Sequence, residues 1–342
     1  MIREAISLLV QNIHLSEAEM AECMLEIMEG AATDAQIAAF LTALRIKGET
    51  VEEITGAAKI MRAKAVHIQA PAGAVDIVGT GGDMAGTFNV STTSALVVAA
   101  AGVPVAKHGN RSVSSKSGAA DVLEALGVKI NLPPAHIERC LAETGFGFLF
   151  APLFHPAMKF AVGPRRDIAI RTVFNILGPL TNPAGTRRQV VGVFAEKLTE
   201  PIAQVLVNLG IERAMVVHGA DGLDEITVCD VTRISQTEHG IVETLYISPE
   251  GYGFARAERD AILGAGKDVN AAITLSILRG EKGPKRDMVL LNAAAALIVA
   301  GVAADFTTGI ARAAEAVDSG KAMRKLEQIK AFTNAGGALL AD

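Results

Sequence analysis

Apolar positions in the first 66 residues recur at helical spacing, and three segments there open on the same signature. Ser16 with Glu19, Thr33 with Gln36 and Thr50 with Glu53 each place a hydroxyl three residues before a long acid or amide. That pairing satisfies the free N–H groups of a helix start. Gly30 and Gly48 follow the first two segments, where a helix often ends in a left-handed residue, and Ile37, Phe40, Leu41 and Leu44 line one face. The pattern predicts an array of helical hairpins without a cluster of chemically active side chains, which suits a packing or oligomerisation module.

From Pro71 onward short apolar runs alternate with helical stretches. VDIV, a helix from about 91 to 101, VPVAK, a helix over SGAADVLEALG, and VKIN come first. A helix near 134 to 144, FGFLF at 146 to 150, RQVVGVF at 188 to 194, a helix near 201 to 209 and RAMVVHG at 213 to 219 continue the rhythm. Such alternation predicts a largely parallel sheet covered by helices. Residues 155 to 185 read as a long helical excursion that ends in Gly178-Pro179 and Asn182-Pro183 and crosses back to the helical part. Residues 227 to 254 show β-branched alternation without an intervening helix, predicting antiparallel strands at one edge, and 256 to 338 return to alanine-rich helices.

The expected fold class is therefore α/β: a small all-helical domain plus a larger α/β domain with a mostly parallel central sheet and an antiparallel edge. Residues 1–70 would form the small domain, with 155–185 packing onto it, and 71–154 with 186–342 the large one. A chain of 342 residues, half of them hydrophobic, is long enough for that division. Its formal net charge of −5 supplies no diffuse basic field for nucleic acid or an anionic membrane, so any anion must be bound locally. The amino terminus has no signal-peptide pattern, and the apolar runs near 95 to 106 and 293 to 304 are too short or too interrupted to span a bilayer; both read as buried helices. Cys23, Cys140 and Cys229 show no metal-ligand spacing and suit a reducing, cytoplasmic compartment.

Candidate chemistry begins at 75 to 92, VDIVGTGGDMAGTFNVST, where an apolar strand runs through a glycine-rich turn into a hydroxyl-rich helix start. Gly79, Gly81 and Gly82 let backbone N–H groups approach an anion, while Asn89, Ser91 and Thr92 add donors where the helix dipole is positive. The turn lacks the GKS or GKT of a Walker loop and the GxGxxG of a dinucleotide fingerprint. A second loop, Lys107-His108-Gly109-Asn110-Arg111 with Ser114, Ser115 and Ser117, ends the next strand and so faces the same sheet edge, offering countercharge and hydroxyls to phosphate. Asp224-Glu225 follows another strand at that edge and offers hard oxygen ligands suited to Mg²⁺. Arg165 and Arg166 lie near the presumed hinge, where a guanidinium either forks onto a substrate carboxylate or forms a salt bridge between the two parts.

Together GTGGD at 79 to 83, NVST at 89 to 92, KHGNR at 107 to 111, SSKSG at 114 to 118, RTVFNILGPLTNP at 171 to 183 and GLDE at 222 to 225 closely resemble the anthranilate phosphoribosyltransferases, of the nucleoside phosphorylase-like phosphoribosyltransferase family. The resemblance covers nearly the whole chain; a departure is Asp167-Ile168-Ala169, where relatives often carry Leu-Gly. It implies transfer of the phosphoribosyl group of 5-phosphoribosyl 1-pyrophosphate to the amine of anthranilate in tryptophan biosynthesis, at a site between the two domains of a homodimer joined through its helical parts. By the same resemblance Gly79, Gly82, Asp83, Thr87, Asn89, Val90, Ser91, Thr92, Lys107, His108, Gly109, Asn110, Arg111, Ser112, Val113, Ser114, Ser115 and Ala119 would bind phosphoribosyl pyrophosphate. Gly79, His108, Asn110 and Arg165 would meet anthranilate, and Ser91, Asp224 and Glu225 would hold two Mg²⁺ ions, with Asp83 reaching them through water. No side chain is expected as an obligatory base; Lys107, His108 and Arg165 would act by positioning and electrostatics. A pyrimidine nucleoside phosphorylase would carry a longer carboxy-terminal domain and a different basic loop, and a nucleic-acid-binding relative a basic surface and a degraded acidic pair.

Overall fold

The computed structural model describes residues 1–83, 85–112 and 117–335. Val113, Ser114 and Ser115, expected in the phosphate-binding loop, lie outside the described residues. The helical array consists of α1 (Ile2–Leu9), α2 (Glu17–Met28), α3 (Asp34–Lys47) and α4 (Val51–Ala63), and all three capping boxes form. The third does more than cap. Glu53 is fully buried and accepts the Leu15 and Thr50 N–H groups at 2.9 and 2.8 Å and the Lys47 ammonium at 2.8 Å, so one carboxylate ties the α1–α2 loop to the α3–α4 corner. Gly56 lets α4 meet α2 closely, since a Cβ there would sit 2.4 Å from the Glu17 carbonyl oxygen without relief from backbone movement.

The α/β part follows the alternation. In order come β1 (Val75–Gly79), α5 (Val90–Ala100), β2 (Val105–Gly109), α6 (Ala119–Ala125), α7 (Pro134–Thr144) and β3 (Phe146–Phe150). The strand expected over VKIN does not form. Val128 and Ile130 do turn inward, yet the Lys129 N–H goes to the Thr333 hydroxyl of the last helix at 3.3 Å, because a helix rather than another strand lies beside this stretch. After α8 (Ala151–Phe154), the 155 to 185 excursion is broken rather than continuous: a 3₁₀ turn at Pro156–Met158, α9 (Lys159–Ile168), α10 (Phe174–Leu177) and a second 3₁₀ turn at Gly178–Leu180. Pro156 and Pro179 each sit at the start of a short turn, where the missing N–H is harmless. Ala161, Phe174 and Leu177 from this stretch share a core with Phe40, Leu44 and Ile54 of the helical array.

Then come β4 (Arg188–Gly192), α11 (Thr199–Asn208), β5 (Arg213–Gly219), the hairpin β6 (Thr232–Glu238) and β7 (Ile241–Ile247), and the carboxy-terminal helices α12 (Lys267–Leu278), α13 (Pro284–Val299), α14 (Phe306–Asp318) and α15 (Lys321–Ala335). The described strands form one seven-stranded sheet of order β3-β2-β1-β4-β5-β6-β7, parallel from β3 to β5 and antiparallel over β5–β6–β7. Strand alternation assigns the two faces. Val75, Ile77, Val105 and Val190 pack under α5 and α13, whereas Val191, Val193 and Val216 pack toward α11 and the helical array. Because β2 and β4 lie on opposite sides of β1, the chain reverses direction across the sheet between β1 and β4, and their carboxyl ends form the switch point at which sheets of this kind place a ligand crevice.

Candidate active site

Four parallel strands, β1, β2, β4 and β5, end on glycine at the crevice edge: Gly79, Gly109, Gly192 and Gly219. Gly79 and Gly192 are partners across the β1–β4 pair. Their missing side chains make room for the loop after β5, which folds back over the crevice. A Cβ on Gly79 would lie 2.5 Å from Asp224 Oδ2, and one on Gly192 would overlap the Asp224 backbone oxygen. Asp224 is thereby buried at the switch point, where its carboxylate accepts the Gly81 N–H at 2.7 Å; Gly81 and Gly82 both have positive φ, 64° and 76°. The adjacent Glu225 accepts the Ser91 N–H of the first turn of α5 at 3.1 Å.

Of this acidic pair Asp224 is buried and Glu225 half-buried, so neither is a freely solvated surface group. Burial, together with the nearby Asp83, pushes the Asp224 carboxyl up to about 7, and burial plus Asp224 raises Glu225 well above its ordinary value, with Lys107 opposing. Three acids converge on a place with too little positive charge, which is the electrostatic condition of a site that accepts a cation. Among the described residues no group of three or more His, Cys, Asp or Glu side chains is arranged as a ready cage.

The alternation of β2 separates two neighbours. Lys107 points to the α5 face: it is buried, and its ammonium donates to the Ile77 carbonyl at 2.6 Å and to the Ser91 hydroxyl at 3.4 Å. Burial lowers its pKa, while Asp76 and Glu225 oppose the fall. His108 points to the opposite face, toward the Gly178–Leu180 turn, with Nδ1 3.2 Å from the Gly178 carbonyl and its ring 5.1 Å from that of His155. A carbonyl only accepts, so Nδ1 carries the proton and Nε2 is left as a buried acceptor without a protein partner among the described residues. Burial, then His155, holds His108 down to about 3, so its ring is neutral.

The remainder of the second loop is anchored to α6. Arg111, expected to neutralise phosphate, instead pairs with Asp121 at 2.9 Å and Glu124 at 2.6 Å, and the Ser112 N–H donates to Asp121 at 3.2 Å. Asn110 accepts the Arg111 N–H with its side chain and the Ala120 N–H with its carbonyl, and Ala119 opens α6. In the first loop Thr87 bridges to Leu263, Val90 is buried, and the buried Thr92 hydroxyl has no partner among the described residues. Asp83 caps the Ala85 N–H at 3.1 Å.

Arg165 lies on α9 with its guanidinium 5.0 Å from the Phe174 ring centre, and no carboxylate among the described residues reaches it, so the expected alternative of an interdomain salt bridge is absent there. Burial lowers its pKa. Arg166 is exposed and pairs with Asp167.

Three supporting residues escaped the sequence reading. Asp76, buried in β1, accepts the His108 N–H at 3.2 Å and the Asn182 amide at 2.7 Å, joining the sheet to the segment after Leu180; a lone carboxylate inside VDIV was the available signal. Arg171 donates to the Gly82 carbonyl at 2.6 Å and so pins the glycine turn from the segment between α9 and α10. Both Arg171 and Asn182 stand in the RTVFNILGPLTNP motif, but nothing local to that motif reveals their partners.

Comparison with known proteins agrees with this fold. Residues 71–323 match the glycosyl transferase family, a/b domain, and residues 3–65 the glycosyl transferase family, helical bundle domain, so fold and site define a two-part glycosyl transferase. The chain is 56% identical to an anthranilate phosphoribosyltransferase of Acetivibrio thermocellus over 98% of this chain and 97% of that protein. The crystal structure of anthranilate phosphoribosyltransferase from Thermus thermophilus superposes with a TM-score of 0.91 at 42% identity, covering 96% of this chain and 99% of that one. The Saccharomyces cerevisiae enzyme in complex with PRPP and Mg gives 0.88 at 28% identity, covering 98% of each chain. This chain belongs to the anthranilate phosphoribosyltransferase family.

Proposed function

We propose that the crevice between β1 and β4 transfers the phosphoribosyl group of 5-phosphoribosyl 1-pyrophosphate to the amine of anthranilate, releasing pyrophosphate, as a step of tryptophan biosynthesis. The observation that carries the reading is the convergence of the buried Asp224 with the half-buried Asp83 and Glu225 beside a glycine turn and the amino end of α5: an acid cluster in want of a cation, held in place by the Gly81 and Ser91 N–H groups. Mg²⁺, one ion or two, fits Ser91, Asp224 and Glu225, with Asp83 near, and when bound would neutralise charge on the departing pyrophosphate. Gly79, Gly82 and the 87–92 and 107–115 segments would hold the phosphoribosyl pyrophosphate, and Lys107, between Glu225 and Asp76, would keep the floor of that site from becoming too negative.

His108 and Arg165, on the hinge face, would meet anthranilate. A guanidinium that no carboxylate among the described residues reaches suits a substrate carboxylate, and the open Nε2 of a neutral His108 suits an amine N–H. A ring held neutral to about 3 is a poor proton acceptor at neutral pH, so catalysis rests on positioning and electrostatics, with the substrate's own carboxylate or the pyrophosphate taking the proton. Residues 1–70 with 155–185 would act as the helical domain and pair two copies as a homodimer. The three free cysteines, two buried with thiols raised by burial, suit a cytoplasmic protein.

The test mixes the purified protein with phosphoribosyl pyrophosphate, Mg²⁺ and anthranilate and follows loss of anthranilate fluorescence. No loss, with phosphorolysis of thymidine or uridine in its place, would overturn the proposal.

A further inference from the structure

Asn270 lies on α12, 181 residues after Asn89 at the start of α5, and is 1% exposed. Its side chain belongs to a chain of three hydrogen bonds whose direction is set at both ends by backbone. The Ala265 N–H, which only donates, bonds to Asn270 Oδ1 at 2.8 Å. Asn270 Nδ2 must then face outward, and it donates to Asn89 Oδ1 at 2.9 Å. Asn89 Nδ2 is left to donate, and it does so to the Ser117 carbonyl, which only accepts, at 3.1 Å. Neither amide can turn over without setting like against like at one end.

The supporting contacts show that this register is built. One turn further along each helix, Thr93 Oγ1 meets Thr274 Oγ1 at 2.9 Å, so α5 and α12 share two rungs at matching spacing. Gly264 brings the α12 approach against Phe88: a Cβ there would lie 2.5 Å from Asn270 Oδ1 and 2.7 Å from the Phe88 backbone, and the Gly264 N–H bonds to the Gly86 carbonyl at 2.9 Å.

We propose that Asn270 is a positioning residue for phosphoribosyl pyrophosphate. By occupying the oxygen of Asn89, it obliges that side chain to present N–H rather than C=O to the crevice, and the same amide ties the tail of the 107–118 loop to the first cradle. One amide N–H bonds the Ser117 carbonyl, and the second, which has no partner among the described residues, is left for a substrate oxygen. A reversed Asn89 would place its carbonyl dipole against the anion. The inference rests on the reading above that Asn89 contacts the phosphoribosyl substrate.

Asn270→Asp is nearly isosteric and keeps the bond from Ala265, but it offers only acceptors toward Asn89 and so reverses the relay. The expected result is a rise of about ten-fold or more in KM for phosphoribosyl pyrophosphate, from the loss of one hydrogen bond to a charged group, with KM for anthranilate unchanged. In an Asn89→Ala background the same change should have no further effect on that KM. Asn270→Ser, which removes the relay without adding charge, should raise it in the same direction and serves if the aspartate variant does not fold. A lowered melting temperature with both KM values unchanged, or effects that add in the double variant, would overturn the proposal. If Asn89→Ala itself leaves KM for phosphoribosyl pyrophosphate unchanged, the assignment of Asn89 as a substrate contact fails first.

Discussion

Gly79→Ala is a one-methyl test of how the crevice holds its acids. The new Cβ would stand 2.5 Å from Asp224 Oδ2 and 3.1 Å from its Cγ. To regain van der Waals separation the carboxylate must retreat by roughly 1 Å, which stretches its 2.7 Å bond from the Gly81 N–H beyond useful length. A hydrogen bond to a charged group is worth about 1.5–3 kcal/mol, so if even half of that is expressed in cation binding, the Mg²⁺ concentration for half-maximal turnover rises by about three- to ten-fold or more. The backbone itself tolerates alanine, because Gly79 does not have positive φ. The assay is turnover against Mg²⁺ concentration at saturating levels of both substrates. An unchanged Mg²⁺ dependence, with only a substrate KM altered, would refute the reasoning. The same methyl at Gly192 meets the Asp224 main chain instead and cannot be relieved by a side-chain shift.

Further outcomes follow from the charges and the backbone. Asp224→Asn should weaken Mg²⁺-dependent turnover yet raise the melting temperature of the metal-free protein at pH 8, because a carboxyl raised to about 7 in the folded chain costs stability that builds up above the unfolded value of about 3.9 and is fully present at pH 8. His108 and His155, held at about 3 and about 4 mainly by burial, leave the unfolded chain to take up protons first. Stability present above an unfolded pKa of about 6.5 is thus lost as pH falls toward the folded values, by about 1.4 kcal/mol per ring at pH 5.5. Denaturant melts at pH 7.5 and 5.5 should show that loss shrink in His155→Gln. Ala169 ends α9 in the left-handed region at φ 50°, so Ala169→Gly should stabilise by about 0.5–1 kcal/mol in a denaturant melt. Arg165→Ala should raise the KM for anthranilate with little change in that for phosphoribosyl pyrophosphate; an unchanged anthranilate KM would remove Arg165 from that contact.

Local chemistry made the helical array, the alternation of strand and helix, and the glycine turn legible from the chain alone. Capping boxes, period and φ preference are set by neighbours within a few residues, which is why Ser16, Thr33 and Thr50 cap as read. Parallel connectivity also brought the loops after β1, β2 and β5 to one edge, since parallel strands share an end. The strand misread at VKIN shows the limit: alternate burial there arises from packing under a helix, and periodicity does not report which partner supplies the backbone bond. Partner choice was likewise invisible for Arg111, whose carboxylates follow only on α6, and for Lys107, which is buried beneath the crevice floor. Only the tertiary structure decided that Asp224 rests on two glycines of adjacent strands, that Asp76 joins the sheet to Asn182, and that Asn270 bonds the oxygen of Asn89. Hydrogen-bond direction and desolvation depend on atoms brought together from distant parts of the chain, and no local pattern encodes them.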